Sequence, residues 1–434
     1  MRLRLEYDRC RPERMTKGMR MLKWIFLSGI LCIWPCRAGA AGQASGPDGT
    51  PFLPGKDSAA VTRKFVHRLG MDLSPAYIIS TNSFMEGDNA SKLLLRNAYS
   101  AHLKYSFRFA SGTVADRLYG GAYQGVGVAA YTFLIPSELG NPVAFYIFQG
   151  ARIARLAPWL SLNYEWNLGL SFGWKPYDYY ENEYNKVIGA RVNAYINVDF
   201  YFNWALSRQV NLTTGVGLTH FSNGNTKLPN SGLNTIGLKA GLVYDLTESR
   251  GPEPEQVREP VPEFRRHMSY DLTFFGSWRR KGFMVNDDPM ISPDTYRVLG
   301  FSFAAMYNFG YKFRAGVAVD GVYDQSANVF VDDFISGTVP EFSKPPLSKQ
   351  LALGVSGRIE YVMPYFTVGF GIGTNVVHAG GDLRSVYQML YLKAEVTRSS
   401  YIHIGYNLHN FSTPNFLMLG VGFRFNNKRP APYR

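Results

Sequence analysis

Apolar and polar residues alternate with a period of two along much of the chain from about residue 70 onward. The clearest example is residues 191–206, RVNAYINVDFYFNWAL, in which every even position is apolar. Those even positions are Val192, Ala194, Ile196, Val198, Phe200, Phe202, Trp204 and Leu206. The odd positions after Arg191 are polar or tyrosine, namely Asn193, Tyr195, Asn197, Asp199, Tyr201 and Asn203. Because successive side chains of a strand point to opposite sides, the pattern predicts a β-strand with one apolar face and one polar face.

Strand length separates the two classes of β-protein that this pattern allows. Strands of soluble proteins average about 5–6 residues, whereas a strand that crosses a bilayer needs about 9–11. The segment 191–206 exceeds both values, and the alternation recurs over 232–246 and 312–323. A membrane barrel would turn the apolar face to lipid and the polar face to a narrow lumen. We therefore predict an all-β fold, specifically an antiparallel outer-membrane β-barrel.

An interruption divides the alternating segments into two halves. We count about sixteen such segments, roughly eight on each side of residues 247–266. That stretch is rich in Pro and Glu, and since it cannot pair in a sheet we interpret it as a linker. The halves, 67–246 and 267–426, are expected to form two tandem eight-stranded barrels, and one larger barrel of about 14–16 strands is the alternative. Residues 427–434 would then form a short tail.

The N-terminal 40 residues have the features of an export signal. Within 1–40, a basic region at 17–23 precedes an apolar run from 24 to 34 and a small-residue cleavage site at 38–40. The apolar run is shorter than the roughly 20 residues of a membrane-spanning helix. Residues 41–66 are rich in Gly, Ser and Pro and predict a flexible leader. An export signal followed by barrel strands predicts the outer membrane of a Gram-negative cell.

Charge and cysteine content argue against several function classes. Of the 46 Lys and Arg residues behind the net charge of +13, nine lie in residues 1–40, beside three of the 33 acidic residues. No dense basic run with interleaved aromatics remains, so nucleic acid is not an expected partner. The three cysteines, Cys10, Cys32 and Cys36, all precede the barrel region, which excludes a disulfide framework or thiolate metal site there.

His220 and Ser222 form the strongest candidate for chemistry. They lie two residues apart at the end of a predicted strand, 210–222, and share a face with Val216 and Leu218. Placing a polar pair on an apolar face costs free energy, so such a pair is expected to have a function. If the chain enters from the periplasm, the seventh strand ends at the outer surface, so the pair lies at the extracellular rim on the lipid side. The returning eighth strand would bring Asn234 to the same face.

These residue types suit acyl-ester hydrolysis. Ser222 would attack an ester carbonyl, and His220 would take its proton and return it to the departing alcohol. Asn223, Asn230 and the backbone N–H groups of the Gly-rich turn are available to stabilise the oxyanion. The alternative is that Ser and Asn only form a hairpin turn and that the histidine belongs to an aromatic belt. The His-x-Ser spacing by itself does not decide between the two.

A longer motif resembles a known family. Its positions are His220-x-Ser222-Asn223 followed by Pro229-Asn230-x-Gly232-Leu233 and a closing strand. The motif resembles the lipid A 3-O-deacylase (PagL) family and acyloxyacyl hydrolase-like outer-membrane barrels. The resemblance covers about 65–246 and is most specific over 211–246. It implies an eight-stranded barrel that removes the ester-linked acyl chain at position 3 of lipid A, with Ser222 as nucleophile, His220 as base and Asn230 as oxyanion-stabilising residue.

One position departs from the family pattern. Where the family has a glutamate that orients the histidine, this chain has Asn234. An amide can accept a hydrogen bond from the imidazole, but it cannot stabilise the imidazolium by charge, so a slower enzyme is expected. Glu181 and Glu183, in the loop before the sixth strand, are candidate replacement acids near the same rim.

The second half repeats the motif incompletely. The segment YNLHNFSTPNFLMLGVGFRF echoes it, but His409 and Ser412 are three residues apart. Regular alternation sends residues at that spacing to opposite faces, with His409 toward the lumen. We therefore predict that the second copy is catalytically silent.

The remaining polar residues suggest no cofactor and no metal. Five histidines lack metal-ligand spacing and are interpreted as surface or lumen residues: His67, His102, His267, His378 and His403. Acidic pairs at 287–288 and 332–333 are interpreted as solvated turns rather than cation sites. The expected partners are lipopolysaccharide and outer-membrane lipids, with a homodimer left open. The alternative functions are a catalytically silent structural or transport barrel and a lipid esterase with another acyl donor.

Overall fold

The alternating segments form antiparallel strands that close into two separate barrels. The computed structural model describes residues 65–246, 260–285, 288–292, 294–331, 342–384, 386–411 and 413–429. The strands of the first barrel are β1 (Phe65–Ile79), β2 (Asn97–Phe109), β3 (Tyr123–Thr132), β4 (Gly140–Ala157), β5 (Leu160–Trp174), β6 (Asn193–Ala205), β7 (Val210–Ser222) and β8 (Leu233–Asp245). Neighbours in sequence are neighbours in the sheet, and β8 closes the barrel on β1.

The second barrel has the same order of antiparallel strands, with two short hairpins outside it. It begins with β9 (His267–Arg279), the hairpin β10 (Gly282–Val285) and β11 (Asp288–Ile291), β12 (Tyr296–Asn308), β13 (Phe313–Asp324), and the hairpin β14 (Phe330–Val331) and β15 (Phe342–Ser343). It continues with β16 (Leu351–Val362), β17 (Phe366–His378), β18 (Val386–Glu395), β19 (Ser400–His409) and β20 (Thr413–Phe425). The last strand, β20, closes this barrel on β9.

The prediction of two tandem eight-stranded barrels is confirmed, and the alternative of one larger barrel is wrong. The first strand begins at Phe65, two residues before the predicted boundary, and the second barrel spans His267–Phe425. Both barrels belong to one compact unit that begins at Phe65. Several of the predicted segments lie outside the described residues. They are the signal at 1–40, most of the leader and of the linker, the end of the tail, and the acidic pair at 332–333.

The period-two pattern sorts side chains between the outside and the lumen as predicted. On β6, the residues at the odd positions Asn193 to Tyr201 are buried in the lumen, while Phe200 and Phe202 are exposed outside. On β8, Ile236, Leu238, Ala240, Leu242 and Tyr244 all face outward and are exposed. Each barrel therefore carries an apolar outer belt.

Both lumens are filled by paired charges and aromatic rings. In the first barrel, Lys239 Nζ lies 2.6 Å from Asp199 and 3.3 Å from Glu165, and Lys104 Nζ lies 2.5 Å from Asp72. In the second barrel, Asp271 and Glu360 pair with Arg314, Lys393 and Arg424. Buried charges are tolerated only when paired, so these networks explain the polar positions of the alternating strands.

One short helix is not indicated by the alternating pattern. The helix α1 (Val114–Tyr119) begins after Thr113, whose side chain accepts a hydrogen bond from the Asp116 N–H, and it ends at Gly120 in the left-handed region. It contains six residues, too few for a 3.6-residue period to show in the sequence. Among the described helices, none is both long and apolar enough to cross a membrane.

Candidate active site

His220 and Ser222 occupy the outward face at the end of β7. Between them, Phe221 points into the barrel and is completely buried. Its ring contacts those of Tyr131 and Trp174, each with a centroid distance of 5.0 Å. Because side chains alternate along a strand, anchoring Phe221 inside holds the histidine and the serine outside.

The three candidate catalytic side chains form a continuous hydrogen-bonded line. His220 Nε2 lies 2.8 Å from Ser222 Oγ, and His220 Nδ1 lies 2.7 Å from Asn234 Oδ1. His220 and Asn234 are direct cross-strand partners in the β7–β8 register. An amide oxygen only accepts hydrogen bonds, so Nδ1 carries the proton and Nε2 keeps the lone pair that accepts the serine proton. This is the tautomer that a general base requires.

Gly232 leaves the room that the histidine ring needs. It lies just before β8 with a φ of +71°, a conformation that favours glycine. A β-carbon at this position would lie 3.1 Å from His220 Cε1. The conformation and the close approach both require glycine, which explains why the motif has no side chain here.

The loop between β7 and β8 holds its asparagines by hydrogen bonds within the loop. The Asn223 N–H donates to Asn230 Oδ1 at 3.0 Å, and Asn230 Nδ2 donates to Asn225 Oδ1 at 3.1 Å. Asn223 Nδ2 donates to the Lys227 carbonyl at 2.8 Å. The Asn223 side chain therefore stabilises the loop. The Asn230 amide lies next to Asn223, the residue that follows Ser222, and it has a second N–H that can donate.

The structure gives neither candidate replacement acid a hydrogen bond or ion pair with the histidine. The side chains of Glu181 and Glu183 are exposed in the loop between β5 and β6. In the same loop, the backbone N–H groups of Tyr180 and Glu181 donate to the Asp178 carboxylate. These hydrogen bonds hold the pKa of Asp178 below its ordinary value. Both ring nitrogens of His220 already have partners, so the structure does not bring either glutamate to it.

In the second barrel, the corresponding histidine points inward. His409 Nε2 lies 2.7 Å from Asn415 Nδ2, and Asn415 also donates to Asn407 in the lumen at 2.9 Å. Arg279 contacts the same asparagine. The lumen-facing orientation agrees with the sequence prediction, while Ser412 lies outside the described residues.

The other histidines do not assemble into a site. His102 and His403 are buried in the two lumens, and His267 is buried at one end of the second barrel. His67 is exposed on β1, and His378 is partly exposed at the end of β17.

The described residues offer no metal site. Among the described side chains, no three of His, Cys, Asp or Glu are grouped so that they could hold a metal ion. Of the acidic pair at 287–288, only residue 288 is described, at the start of β11.

Two contributors to the site are not apparent from the sequence pattern. Phe221 is one of them, because an aromatic residue between two polar ones indicates only the alternate face of the strand. Gly232 is the other in its role, because the sequence places it in the motif but does not show that it leaves room for the histidine ring.

The known structures that match the chain have low sequence identity to it and low TM-scores. Neisserial surface protein A is 11% identical, covering 41% of this chain and 96% of its own, with a TM-score of 0.26. The siderophore receptor PirA from Pseudomonas aeruginosa is 8% identical, covering 83% and 80%, with a TM-score of 0.23. Omp33 from Acinetobacter baumannii is 8% identical, covering 84% and 99%, with a TM-score of 0.15. No curated protein sequence matches the chain.

Two family matches divide the chain at the boundary between the barrels. Residues 99–243 match lipid A 3-O-deacylase (PagL). Residues 268–427 match the C-terminal domain of acyloxyacyl hydrolase. Together the two matches cover nearly all strands of both barrels, and both describe hydrolases of acyl esters. The first barrel therefore belongs to the lipid A 3-O-deacylase (PagL) family over residues 99–243, and the second barrel is similar to the C-terminal domain of acyloxyacyl hydrolase.

Proposed function

We propose that the chain is an outer-membrane serine esterase that removes the ester-linked acyl chain at the 3-O position of lipid A. The observation that carries the proposal is the line Ser222–His220–Asn234 on the outward face of β7 and β8. This line lies at one end of an apolar belt formed by residues such as Val216, Ile236 and Leu238. A substrate with acyl chains in the membrane could therefore reach the serine from the lipid phase.

The reaction follows from the hydrogen bonds of this line. Ser222 Oγ forms a bond to the ester carbonyl carbon while His220 Nε2 accepts its proton. When the carbon–oxygen ester bond breaks, His220 returns that proton to the departing sugar hydroxyl. Water then attacks the acyl-serine by the same route, releases the fatty acid and restores Ser222.

The developing oxyanion needs donors close to the nucleophile. Asn230 is well placed in the loop because its Oδ1 is held by the N–H of Asn223, the residue after the serine. Its second amide N–H and the backbone N–H of Gly224 are the donors that we assign to this role. The Asn223 side chain instead shapes the loop through its bond to Lys227.

The proposed location and partners follow from the two outer belts. The sixteen barrel strands of the described chain have apolar outward faces, which match the architecture of outer-membrane proteins. Because β7 is the seventh strand, a chain that starts in the periplasm places the serine at the extracellular rim. There it would meet lipopolysaccharide, the proposed substrate, among the lipids of the outer leaflet.

Mass spectrometry of lipid A tests the proposal. Outer membranes from cells that express the chain should contain lipid A lacking one 3-O-linked acyl chain, and cells that express Ser222→Ala should keep it. Unchanged lipid A with both proteins would favour a catalytically silent barrel, while release of fatty acid from phospholipids only would identify a lipid esterase with another acyl donor.

A further inference from the structure

The active-site loop of the first barrel touches the rim of the second barrel. The N–H of Arg280, just after β9, donates to the Asn225 carbonyl at 3.0 Å. Gly224 is buried, and a β-carbon built on it would lie 2.7 Å from Leu417 Cγ on β20. The loop that follows the nucleophile is therefore in contact with two different strand ends of the neighbouring barrel.

Hydrogen bonds link this contact to the nucleophile. The second barrel binds the Asn225 carbonyl, and the Asn225 side chain accepts from Asn230. The Asn230 side chain in turn accepts from the N–H of Asn223, which directly follows Ser222. A displacement of the loop at Asn225 would thus move the amide that we assign to the oxyanion.

The loop has a backbone that needs support from its surroundings. Gly224 and Asn225 both adopt the left-handed conformation, with φ values of +63° and +64°. For a residue other than glycine this conformation is uncommon and is retained when neighbouring contacts hold it. The N–H of Arg280 and the side chain of Leu417 supply such contacts from outside the loop.

A second contact holds the barrels together near the opposite strand ends. Gln149 lies at an outward position of β4 but is completely buried, and its Nε2 donates to the Pro364 carbonyl at 2.9 Å. Trp166 of β5 packs edge-on against Phe366 of β17 at 5.1 Å. Since the barrels are joined at two separate places, the rim of the second barrel is held against the active-site loop.

We propose that the second barrel is a positioning element for catalysis, in which Leu417 and the Arg280 backbone clamp the loop that carries Asn223 and Asn230. This inference rests on the proposed esterase function of Ser222. It gives the second barrel, whose own histidine points into its lumen, a task in the reaction: the clamp keeps the oxyanion donors aligned with Ser222. Loosening the clamp should lower kcat and leave KM nearly unchanged, because the outward residues of the first barrel that we assign to the acyl chains, such as Val216, Ile236 and Leu238, are untouched.

The test compares Leu417→Ala with Leu419→Ala in the full-length protein. Both residues face outward on β20, but Leu419 is exposed and Leu417 is partly covered. In detergent, with purified lipid A as substrate, Leu417→Ala should lower kcat by about tenfold, since misplacement of oxyanion donors costs that much or more. Leu419→Ala should stay within about twofold of wild type, and Leu417→Met, which conserves volume, should retain activity. Far-UV circular dichroism checks that every variant is folded.

A double variant adds a steric readout. Gly224→Ala should be nearly inactive, and Gly224→Ala combined with Leu417→Ala should recover part of that loss, because removing the leucine side chain makes room for the new methyl group. Gly224→Ala with Leu419→Ala should not recover.

The outcomes separate the two proposals. If wild type is no more active than Ser222→Ala, the esterase function and the clamp fall together. If wild type is active but Leu417→Ala equals Leu419→Ala in kcat, the clamp alone is refuted.

Discussion

An amide at position 234 accepts the hydrogen bond that a carboxylate accepts in the family pattern. Asn234 Oδ1 lies 2.7 Å from His220 Nδ1, so the ring orientation and the tautomer needed for catalysis are both maintained. In the proposed reaction, the amide has no negative charge to offset the positive charge that His220 would gain in the transition state. At the level of single residues, the site therefore has its geometry but lacks part of its electrostatic stabilisation.

Replacing the amide by a carboxylate of the same length should make the enzyme faster. Asn234→Asp keeps the distance to His220 and adds charge, so kcat for lipid A deacylation should rise by about tenfold or more. Asn234→Ala removes the acceptor and should lower kcat by about tenfold. Steady-state kinetics with purified protein in detergent measure both.

The matched control for this prediction is the double variant Glu181→Gln/Glu183→Gln. Both glutamates are exposed and neither contacts His220, so activity should be unchanged. A large loss of activity in this variant would show that one of them supplies the missing charge, and an unchanged rate in Asn234→Asp would contradict the role given to the amide.

The β7–β8 hairpin brings the three side chains of the candidate site together on the outward face of the barrel. Phe221 is packed among aromatic rings inside the barrel, and its two neighbours are thereby held outside, opposite Asn234 on β8. The Gly232 conformation then returns the chain without obstructing the histidine ring. The hairpin thus depends on one buried ring as much as on its polar residues.

Truncation of the buried ring should damage both stability and catalysis. Phe221→Ala should lower the free energy of unfolding by about 3–5 kcal/mol, the usual cost of removing a buried phenylalanine. Activity should fall with it because the end of β7 loses its anchor. Denaturant titration followed by tryptophan fluorescence measures the stability. Phe200→Ala, which truncates an exposed ring on β6, is the control and should have a small effect; equal effects would argue against the anchoring role.

At the level of the whole molecule, two barrels with filled lumens are joined side by side. In the described part of the chain, neither lumen resembles an open channel, because paired charges and aromatic side chains occupy it. The outward faces therefore carry the site, and the contacts between the barrels at Gln149 and at Asn225 determine how the second barrel meets the active-site loop.

The charge network in the first lumen should be essential for stability. Lys239→Met leaves Asp199 without the partner that lies 2.6 Å away, and the free energy of unfolding should fall by about 3–5 kcal/mol. Lys186→Met is the matched control and should change the stability little, because its pair with Asp88 is about half exposed and screened by solvent. Thermal unfolding followed by circular dichroism distinguishes them; a Lys239→Met protein as stable as the control would contradict the prediction.

The strands, their two faces and the residues of the dyad are all predictable from the amino-acid sequence. The period of two is a local property of the chain, and it predicts one outward face for His220, Ser222 and Asn234, which are hydrogen-bonded to one another there. The Pro- and Glu-rich stretch at 247–266 likewise indicates two barrels, because such a stretch interrupts strand pairing.

The groups that meet across loops and between barrels are determined only by the three-dimensional fold. The way in which loops and barrels come together determines the hydrogen bonds of Asn223 and Asn230 and the contact of Gly224 with Leu417. It also determines that neither Glu181 nor Glu183 is a hydrogen-bond partner of His220. No periodic pattern encodes such contacts, because loops have no repeating geometry. On the strands, an outward apolar residue follows the same alternation whether its side chain faces lipid or another barrel.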